Sequence, residues 1–286
     1  MAPDFLYIGP PKSASTWLYE VMRGHPAISV PVIKDIYYFD RYFDRGAPWY
    51  EAHFANAPAG TLATGEFSHD YFYCDIAAAR IAEALPDVRL MTILRQPMER
   101  ALSEFRFLQR SGLVGANFET AVAGHRYDIV TKGLYGSALR PYWARFPSNR
   151  IATFVYDDLL TDAKGFANTV FAFLGVPVLT ALPIAGRVNA QSAARAPRLA
   201  RLAKRGARAA RDMGLSGLVG RIKRHPLALR LLYKPAPNAP VVIPRRLYDE
   251  LAEVFTADLH DLEILTGRRF PTLAMAHFDT NRVTLI

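Results

Sequence analysis

Phe5-Leu6-Tyr7-Ile8-Gly9-Pro10-Pro11-Lys12-Ser13-Ala14-Ser15-Thr16-Trp17-Leu18 carries the chain from its first apolar run into its first polar loop. Residues 4–9 are short, apolar and without polar alternation, the pattern of a strand buried on both faces. Residues 15–23 read as a helix that stops before Gly24-His25-Pro26. The loop between them offers a point charge at Lys12 and hydroxyls at Ser13, Ser15 and Thr16. The helix start adds unpaired backbone N–H groups with positive dipole charge. Strand, lysine-bearing loop and helix make a layout that holds phosphate. It is not the G-x-x-x-x-G-K-[ST] loop, because Pro11 precedes Lys12 and no second Gly is present. The same residues also suit a capped helix with a surface lysine.

Further along, the strand pattern of residues 88–94 runs into Arg95-Gln96-Pro97-Met98-Glu99-Arg100-Ala101-Leu102-Ser103. Pro97 sits where a helix tolerates proline best, at its first position. Arg95 leaves the carboxyl end of a strand, where open parallel sheets bind ligands. Ser103 follows about two helical turns later. A cation and a hydroxyl so spaced suit a second phosphate; they also suit an arginine on the sheet edge and an ordinary helical serine.

The remaining pattern alternates. Residues 28–33 read as a short extended run, 41–56 as aromatic and irregular, and 61–67 as a strand. Residues 75–84 read as an Ala-rich helix stopped by Pro86. Residues 136–146 are amphipathic, 150–156 a strand, and 158–174 a helix closed by Gly175. Strands alternating with helices predict an α/β fold of three layers, with a central parallel sheet flanked by helices. Residues 244–265 read as a long helix with Gly267 just past its end. Residues 235–244 are Pro-rich and read as a connector. The 286 residues read as one domain, with 195–243 an excursion from it.

Composition narrows the function. Half the residues are apolar (51%), enough for a real core, and a lone Cys excludes a disulfide scaffold or zinc finger and suits a reducing, cytoplasmic setting. The seven His are scattered without metal-site spacing. The start lacks the basic region of a signal peptide, and no apolar run reaches 18 residues. The formal charge of +9 is local. Residues 195–230 hold eleven Lys or Arg against Asp212, and the remainder carries −1. That weakens a general nucleic-acid reading. The run Arg195, Arg198, Arg201, Lys204, Arg205, Arg208 and Arg211 forms a cationic helical face. It suits an anionic membrane surface, an acidic carrier protein, steering of an anionic substrate, or a solvated lid.

The two phosphate elements together resemble the sulfotransferases that use 3′-phosphoadenosine 5′-phosphosulfate (PAPS), an EC 2.8.2 activity, in their bacterial and heparan-sulfate-type branch. Residues 11–18 are similar to the family's P-K-[ST]-G-[ST]-[ST]-x-L loop, and residues 95–103 to its R-x-P-x-x-R-x-x-S motif. Lys34-Asp35-Ile36-Tyr37-Tyr38-Phe39 resembles K-E-x-x-[FY]-F. Trp49-Tyr50, Gly65-Glu66-x-Ser68-x-x-Tyr71, Gly133-Leu134-Tyr135 and Thr266-Gly267-Arg268-Arg269-Phe270-Pro271 resemble further stretches of that branch. The resemblance covers residues 4–180 and 244–272. It implies a P-loop-like fold. It implies that Lys12, Ser13, Ala14, Ser15, Thr16 and Trp17 hold the 5′-phosphosulfate, and that Arg95, Ser103, Gly267, Arg268 and Arg269 hold the 3′-phosphate. It implies sulfuryl transfer to a hydroxyl or amine, leaving 3′,5′-ADP, with Lys12 stabilising the leaving group and no metal.

Asp35 stands where the family has Glu, so the resemblance makes it the candidate base, with His69 and His53 as rivals. Ala14 replaces a Gly, so that position must tolerate a Cβ. Phe67-Ser68-His69 stands where heparan-type members carry Lys-Ser-Pro, and Thr266 where some carry Lys. Both changes lower the expectation of a polyanionic acceptor. The aromatics Tyr37, Tyr38, Phe39, Tyr42, Phe43, Trp49, Tyr50, Phe54, Tyr71, Phe72 and Tyr73 read either as an apolar acceptor pocket or as core. A small hydrophobic or natural-product acceptor, free or carrier-tethered, fits these features. A carbohydrate O-sulfotransferase and a P-loop nucleotide kinase are the alternatives, the latter because Asp157-Asp158 closes a strand. A nucleotide-binding or membrane-docking protein without catalysis is a third.

Overall fold

The computed structural model describes residues 2–183, 192–194, 233–235 and 239–286. Five parallel strands form the main sheet: β1 (Phe5–Gly9), β2 (Ile28–Ser29), β3 (Ala63–Phe67), β4 (Arg89–Leu94) and β5 (Ile151–Val155), in the order β2-β3-β1-β4-β5. β1 is central because every side chain from Phe5 to Ile8 is fully buried. Alternation sends them to both faces. Leu6 and Ile8 join Leu90 and Leu94 in one core cluster, while Phe5 and Tyr7 join Met91 and Ile93 in another.

The helices are α1 (Ser15–Arg23), α2 (Tyr38–Arg41), α3 (Gly46–Glu51), α4 (Asp75–Ala84), α5 (Pro97–Arg110), α6 (Phe118–Ile129), α7 (Tyr135–Trp143), α8 (Tyr156–Thr161), α9 (Ala163–Leu174) and α10 (Arg245–Thr266). α4, α7 and the end of α10 cover the first face, and α1, α8 and α9 cover the second. This is the three-layer α/β architecture expected of the alternation. A third cluster lies apart. It joins α5, α6 and the first half of α10 to two short strands, β8 (Val241–Ile243) and β9 (Val283–Leu285), which pair in parallel. A separate pair is formed by β6 (Ser192–Ala194) and β7 (Tyr233–Pro235), which are antiparallel, with β6 near α5.

Several expectations are revised. Only Ile28–Ser29 of the run 28–33 pairs, and Pro31 close behind brings no N–H to a ladder. The connector 235–244 contains β8, because the C-terminal β9 returns to pair with it. Helix α6 has little amphipathic signal and is bent at His125, which is why its pattern was not legible. The basic segment 195–230 and its expected helix lie outside the described residues. Among the described residues, no helix is long and apolar enough to cross a membrane.

The Gly133-Leu134-Tyr135-Gly136 stretch has a packing reason. Buried Asp258 on α10 accepts from Gly136 N (2.8 Å), Ser137 N (2.9 Å) and Ser137 Oγ (2.8 Å), so it satisfies the N-terminus of α7 from a neighbouring helix. A Cβ on Gly136 would lie 2.7 Å from the Asp258 carbonyl and 2.8 Å from Leu262 N, both backbone atoms. Gly136→Ala should therefore push α7 from α10 and cost about 1–3 kcal/mol of stability, read by chemical denaturation.

Candidate active site

β1 ends in Gly9, with a φ of +141°, and a Cβ there would lie 2.4 Å from the His69 carbonyl and 2.7 Å from Phe72 Cβ. Glycine thus lets the turn after β3 close onto the turn after β1. Thr92 Oγ1 donates to Gly9 O (2.6 Å) and Tyr7 OH to Pro10 O (3.0 Å), holding the loop from β4 and from β1 itself. Lys12 and Ala14 take left-handed backbone, at φ +70° and +63°. Ala14 is the N-cap residue of α1 and offers no side-chain cap. It is the position where the sequence lacks its glycine, and the left-handed turn is formed nonetheless.

Lys12 Nζ lies 3.7 Å from Glu104 Oε2 and 3.3 Å from the centre of the Phe107 ring, so its charge faces α5. Ser13 is fully buried and Ser15 nearly so, Thr16 is half-buried, and Trp17 packs on Phe166 in the core. Arg95 leaves β4 beside this loop. Its Nη1 donates to Lys12 O (3.2 Å), its Nη2 donates to Glu99 (3.0 Å), and its guanidinium covers Tyr156 at 4.7 Å. Tyr135 OH donates to Arg95 O (2.6 Å), which gives the Gly133-Leu134-Tyr135 motif a second function. Half-buried Ser103 lies on the face of α5 that carries Glu99 and Phe107, one turn from each. Ser13 Oγ and Arg95 Nε are buried without a hydrogen-bond partner among the described residues. Orphaned donors on a cationic rim fit a ligand that brings oxyanions.

The C-terminal loop meets the sheet at β5, the strand paired with β4. Gly267 closes α10 in left-handed conformation, with φ +66°. Arg268 Nη1 donates to Thr153 O (3.1 Å) and Thr153 Oγ1 (2.9 Å), bracing the edge strand β5. Arg269 reaches outward to Glu263 (2.6 Å), with a side chain 85% exposed. The structure thus brings together Lys12, Ser13 and Arg95, with Ser103 along α5, and engages Arg268 and Arg269 with other groups.

On the other side of β1 stands a second constellation. Asp35 and Tyr37 are both left-handed, at φ +69° and +57°. Their turn hangs from β3, because Asp35 N donates to Phe67 O (2.8 Å) and Tyr37 N to Ser68 Oγ (3.0 Å). His69 Nδ1 lies 2.8 Å from Asp35 Oδ1, and Lys34 Nζ is 3.3 Å from the same oxygen. Burial works against the Asp35 charge, yet Lys34 and His69 hold its carboxyl well below the usual carboxylate range. Tyr37 OH lies 3.2 Å from His69 Nε2. His53 stands apart from this pair, edge-on to Trp49 at 4.8 Å.

Beneath this pair lies Glu66, whose spacing to Ser68 puts both on one side of the strand. The sequence names the motif but shows no role for the carboxyl. Glu66 is 1% exposed and accepts from Tyr50 OH (2.9 Å), Tyr71 OH (2.8 Å) and Ser68 Oγ (2.7 Å). Burial pushes it up to about 7 against these three donors, and the Asp35 charge adds to the rise. Ser68 therefore ties the buried carboxyl to the turn that carries Asp35.

The aromatic cluster divides. Tyr38, Phe39, Tyr50, Phe54, Tyr71 and Phe72 are core, all at most 4% exposed, with Tyr38 and Tyr50 stacked at 4.5 Å. Tyr37 is buried too, with its hydroxyl on His69, Tyr73 donates to Lys132 O (2.6 Å), and Tyr127 is 53% exposed. Asp70 binds Arg41 and Lys132, and Lys132 lies 5.6 Å and 5.2 Å from the Tyr73 and Tyr127 rings. Lys34, Arg41 and Lys132 are each engaged by Asp35, Asp70 or Asp128, so this side carries no surplus of positive charge. Asp157 and Asp158 open α8, and among the described residues no three His, Cys, Asp or Glu side chains group as metal ligands.

Two measurements follow. Ala14→Gly should raise stability by roughly 0.5–1 kcal/mol, because the relief of left-handed strain exceeds the added chain entropy. Glu66, raised from 4.5 to about 7 in the fold, contributes stability that is full below pH 4.5 and lost as pH rises to 7. Between those limits the wild type should lose about 3 kcal/mol more than Glu66→Gln, by denaturation at both pH values. Asp35 and Asp70, held low, act in the opposite sense and below that window.

Similarity to known proteins places the chain in a family. The model of the sulfotransferase domain matches residues 2–191. Heparan sulfate glucosamine 3-O-sulfotransferase 3B1 of Mus musculus is 27% identical over 182 residues, covering 61% of this chain and 46% of that protein. The bifunctional heparan sulfate N-deacetylase/N-sulfotransferase 3 of Homo sapiens is 30% identical over 198 residues, 61% of this chain and 22% of that one. The chain spans less than half the length of either relative. The crystal structure of a sulfotransferase from Alicyclobacillus acidocaldarius matches at TM-score 0.68 and 19% identity, over 96% of this chain and 99% of that one, which speaks for a common fold. The lysine loop, the Arg95 turn and the Asp35 turn all fall inside the matched region, and the chain belongs to the sulfotransferase domain family.

Proposed function

We propose that this protein transfers the sulfuryl group of PAPS to the hydroxyl of a small, largely uncharged acceptor, free or tethered to a carrier. The observation that carries the reading is the contact of Arg95 with the Lys12 loop, which joins two cationic, oxyanion-seeking elements on one sheet rim. Lys12, Ser13 and the N–H groups of the 12–16 loop would hold the 5′-phosphosulfate, and Arg95 and Ser103 the 3′-phosphate. The acceptor oxygen bonds to sulfur as the sulfur–oxygen bond to the 5′-phosphate breaks, leaving 3′,5′-ADP. Lys12 and the loop N–H groups are fixed dipoles and charge for the oxygen that leaves.

The acceptor proton goes to the Asp35–His69 pair. A carboxyl held so low is a weak proton acceptor by itself. Bound to imidazole Nδ1, it instead orients the ring and stabilises the charge the ring gains on taking the proton at Nε2. The paired charges around Asp70 and the exposed ring of Tyr127 favour a neutral acceptor over a polyanion.

Calorimetric titration tests the donor. 3′,5′-ADP should bind at least tenfold more tightly than ATP with Mg²⁺, and the reverse order would favour the kinase alternative. Asp35→Asn and His69→Gln should each lower kcat by about 10²-fold or more, while 3′,5′-ADP affinity stays within twofold. A loss with Asp35→Asn alone assigns the proton to the carboxylate. Turnover of an anionic polysaccharide, with none of phenols or aliphatic alcohols, would overturn the acceptor reading.

A further inference from the structure

Glu99, in the first turn of α5, accepts from two arginines at a single oxygen. Arg95 Nη2 reaches Oε2 at 3.0 Å, and Arg282 Nη1 reaches the same Oε2 from the C-terminal segment just before β9. That segment is docked on the start of α5 by a second contact, from Gln96 Nε2 to Met275 Sδ at 3.3 Å. The parallel pairing of β8 with β9 fixes its direction. Arg106 lies seven residues past Glu99, on the same face of α5. Burial and the neighbouring charges of Arg282, Arg95 and Arg110 depress its basicity, with Glu99 opposing them. The guanidinium groups of Arg95 and Arg282 thus converge on one carboxylate, with Arg106 near enough to feel both charges. Arg282 also meets Asp279 at 3.8 Å and Arg106 donates to Ala239 O at 3.3 Å, so three arginines face two carboxylates and a net positive charge remains. Ser103 lies between Glu99 and Arg106 on that face, and buried Arg95 Nε has no partner among the described residues.

A net positive charge with forked donors suits a phosphate. Two forked donors that already converge on one carboxylate oxygen stand at a separation an oxyanion bridges. The residues of the Gly267-Arg268-Arg269 loop are engaged elsewhere, Arg268 on Thr153 and Arg269 on Glu263. We propose that Arg282, with Arg95, Ser103 and Arg106, forms the binding place of the nucleotide's 3′-phosphate, and that Arg269 takes no part in it. Glu99 orders the two guanidinium groups. Arg282 lies ten residues beyond the last stretch that carries the sequence resemblance, and beyond the matched domain.

The inference rests on the PAPS reading, and the test separates the two. Calorimetric affinities for 3′,5′-ADP and 5′-AMP are measured on the full chain, as wild type, Arg282→Ala, Arg282→Lys and Arg269→Ala. The two nucleotides differ only in the 3′-phosphate. The wild type should prefer 3′,5′-ADP by at least 30-fold; no preference would overturn the nucleotide reading and this inference with it. Arg282→Ala should weaken 3′,5′-ADP at least tenfold and 5′-AMP less than twofold. Arg282→Lys should recover part of the loss, and Arg269→Ala should change neither affinity beyond twofold. A wild-type preference that survives Arg282→Ala, or an equal loss for both nucleotides, would overturn the role of Arg282 and leave the PAPS reading standing. Thermal melting without nucleotide identifies a variant that merely fails to fold, in which case Arg282→Lys and Arg282→Gln carry the comparison.

Discussion

The hydrogen bond from Arg95 to the Lys12 carbonyl joins residues 83 positions apart, and it exists because β1 and β4 are parallel neighbours. Parallel pairing sets both carboxyl ends on one rim, so the loop after β1 and the turn after β4 meet there. β3, on the other side of β1, delivers Ser68, His69 and Asp70 to the same rim. The Lys12–Arg95 side and the Asp35–His69 side are therefore two flanks of a single strand. Gly9 allows them to close up, since any Cβ there would meet the His69 carbonyl.

The positive-φ residues other than glycine are Lys12, Ala14, Asp35 and Tyr37 among the described residues, and all belong to these flanks. Left-handed backbone at such residues costs roughly 1–3 kcal/mol each. The surrounding bonds overdetermine it: Thr92 and Tyr7 on the first loop, Phe67 and Ser68 on the second. Glu66 extends that hold into the core, where its three hydroxyl donors fix the direction in which Ser68 presents its lone pairs to Tyr37. Strain at the rim is balanced by hydrogen bonding beneath it.

Charge placement distinguishes the two flanks. Around Asp35 the cations Lys34, Arg41 and Lys132 are matched by Asp35, Asp70 and Asp128, with Asp70 shared by two of them, which leaves that side electrically balanced. Around Glu99 one carboxylate is shared by Arg95 and Arg282, Arg282 also meets Asp279, and Arg106 lies near, which leaves that side net positive. On the proposed reading, an anionic nucleotide and a neutral acceptor each meet the side that suits it.

Local order along the chain was enough for the strands, most helices, the lysine loop and the Arg95 turn, because those depend on periodicity and on groups a few residues apart. By the same means Asp35 and His69 were candidates, but only as rivals. Their 2.8 Å contact comes from the turns after β2 and β3, which meet at the end of β3, and no spacing in the chain encodes it. Likewise the aromatic run 37–54 reads equally as pocket or core, and only burial sends Tyr38, Phe39 and Tyr50 inward. Arginine identity is visible in the sequence; which carboxylate each one finds is not. Arg268 faces β5 and Arg282 faces Glu99 because the long α10 and the β8–β9 pair fold the C-terminal segment back over α5, and convergence of charges from distant segments is a property of packing alone.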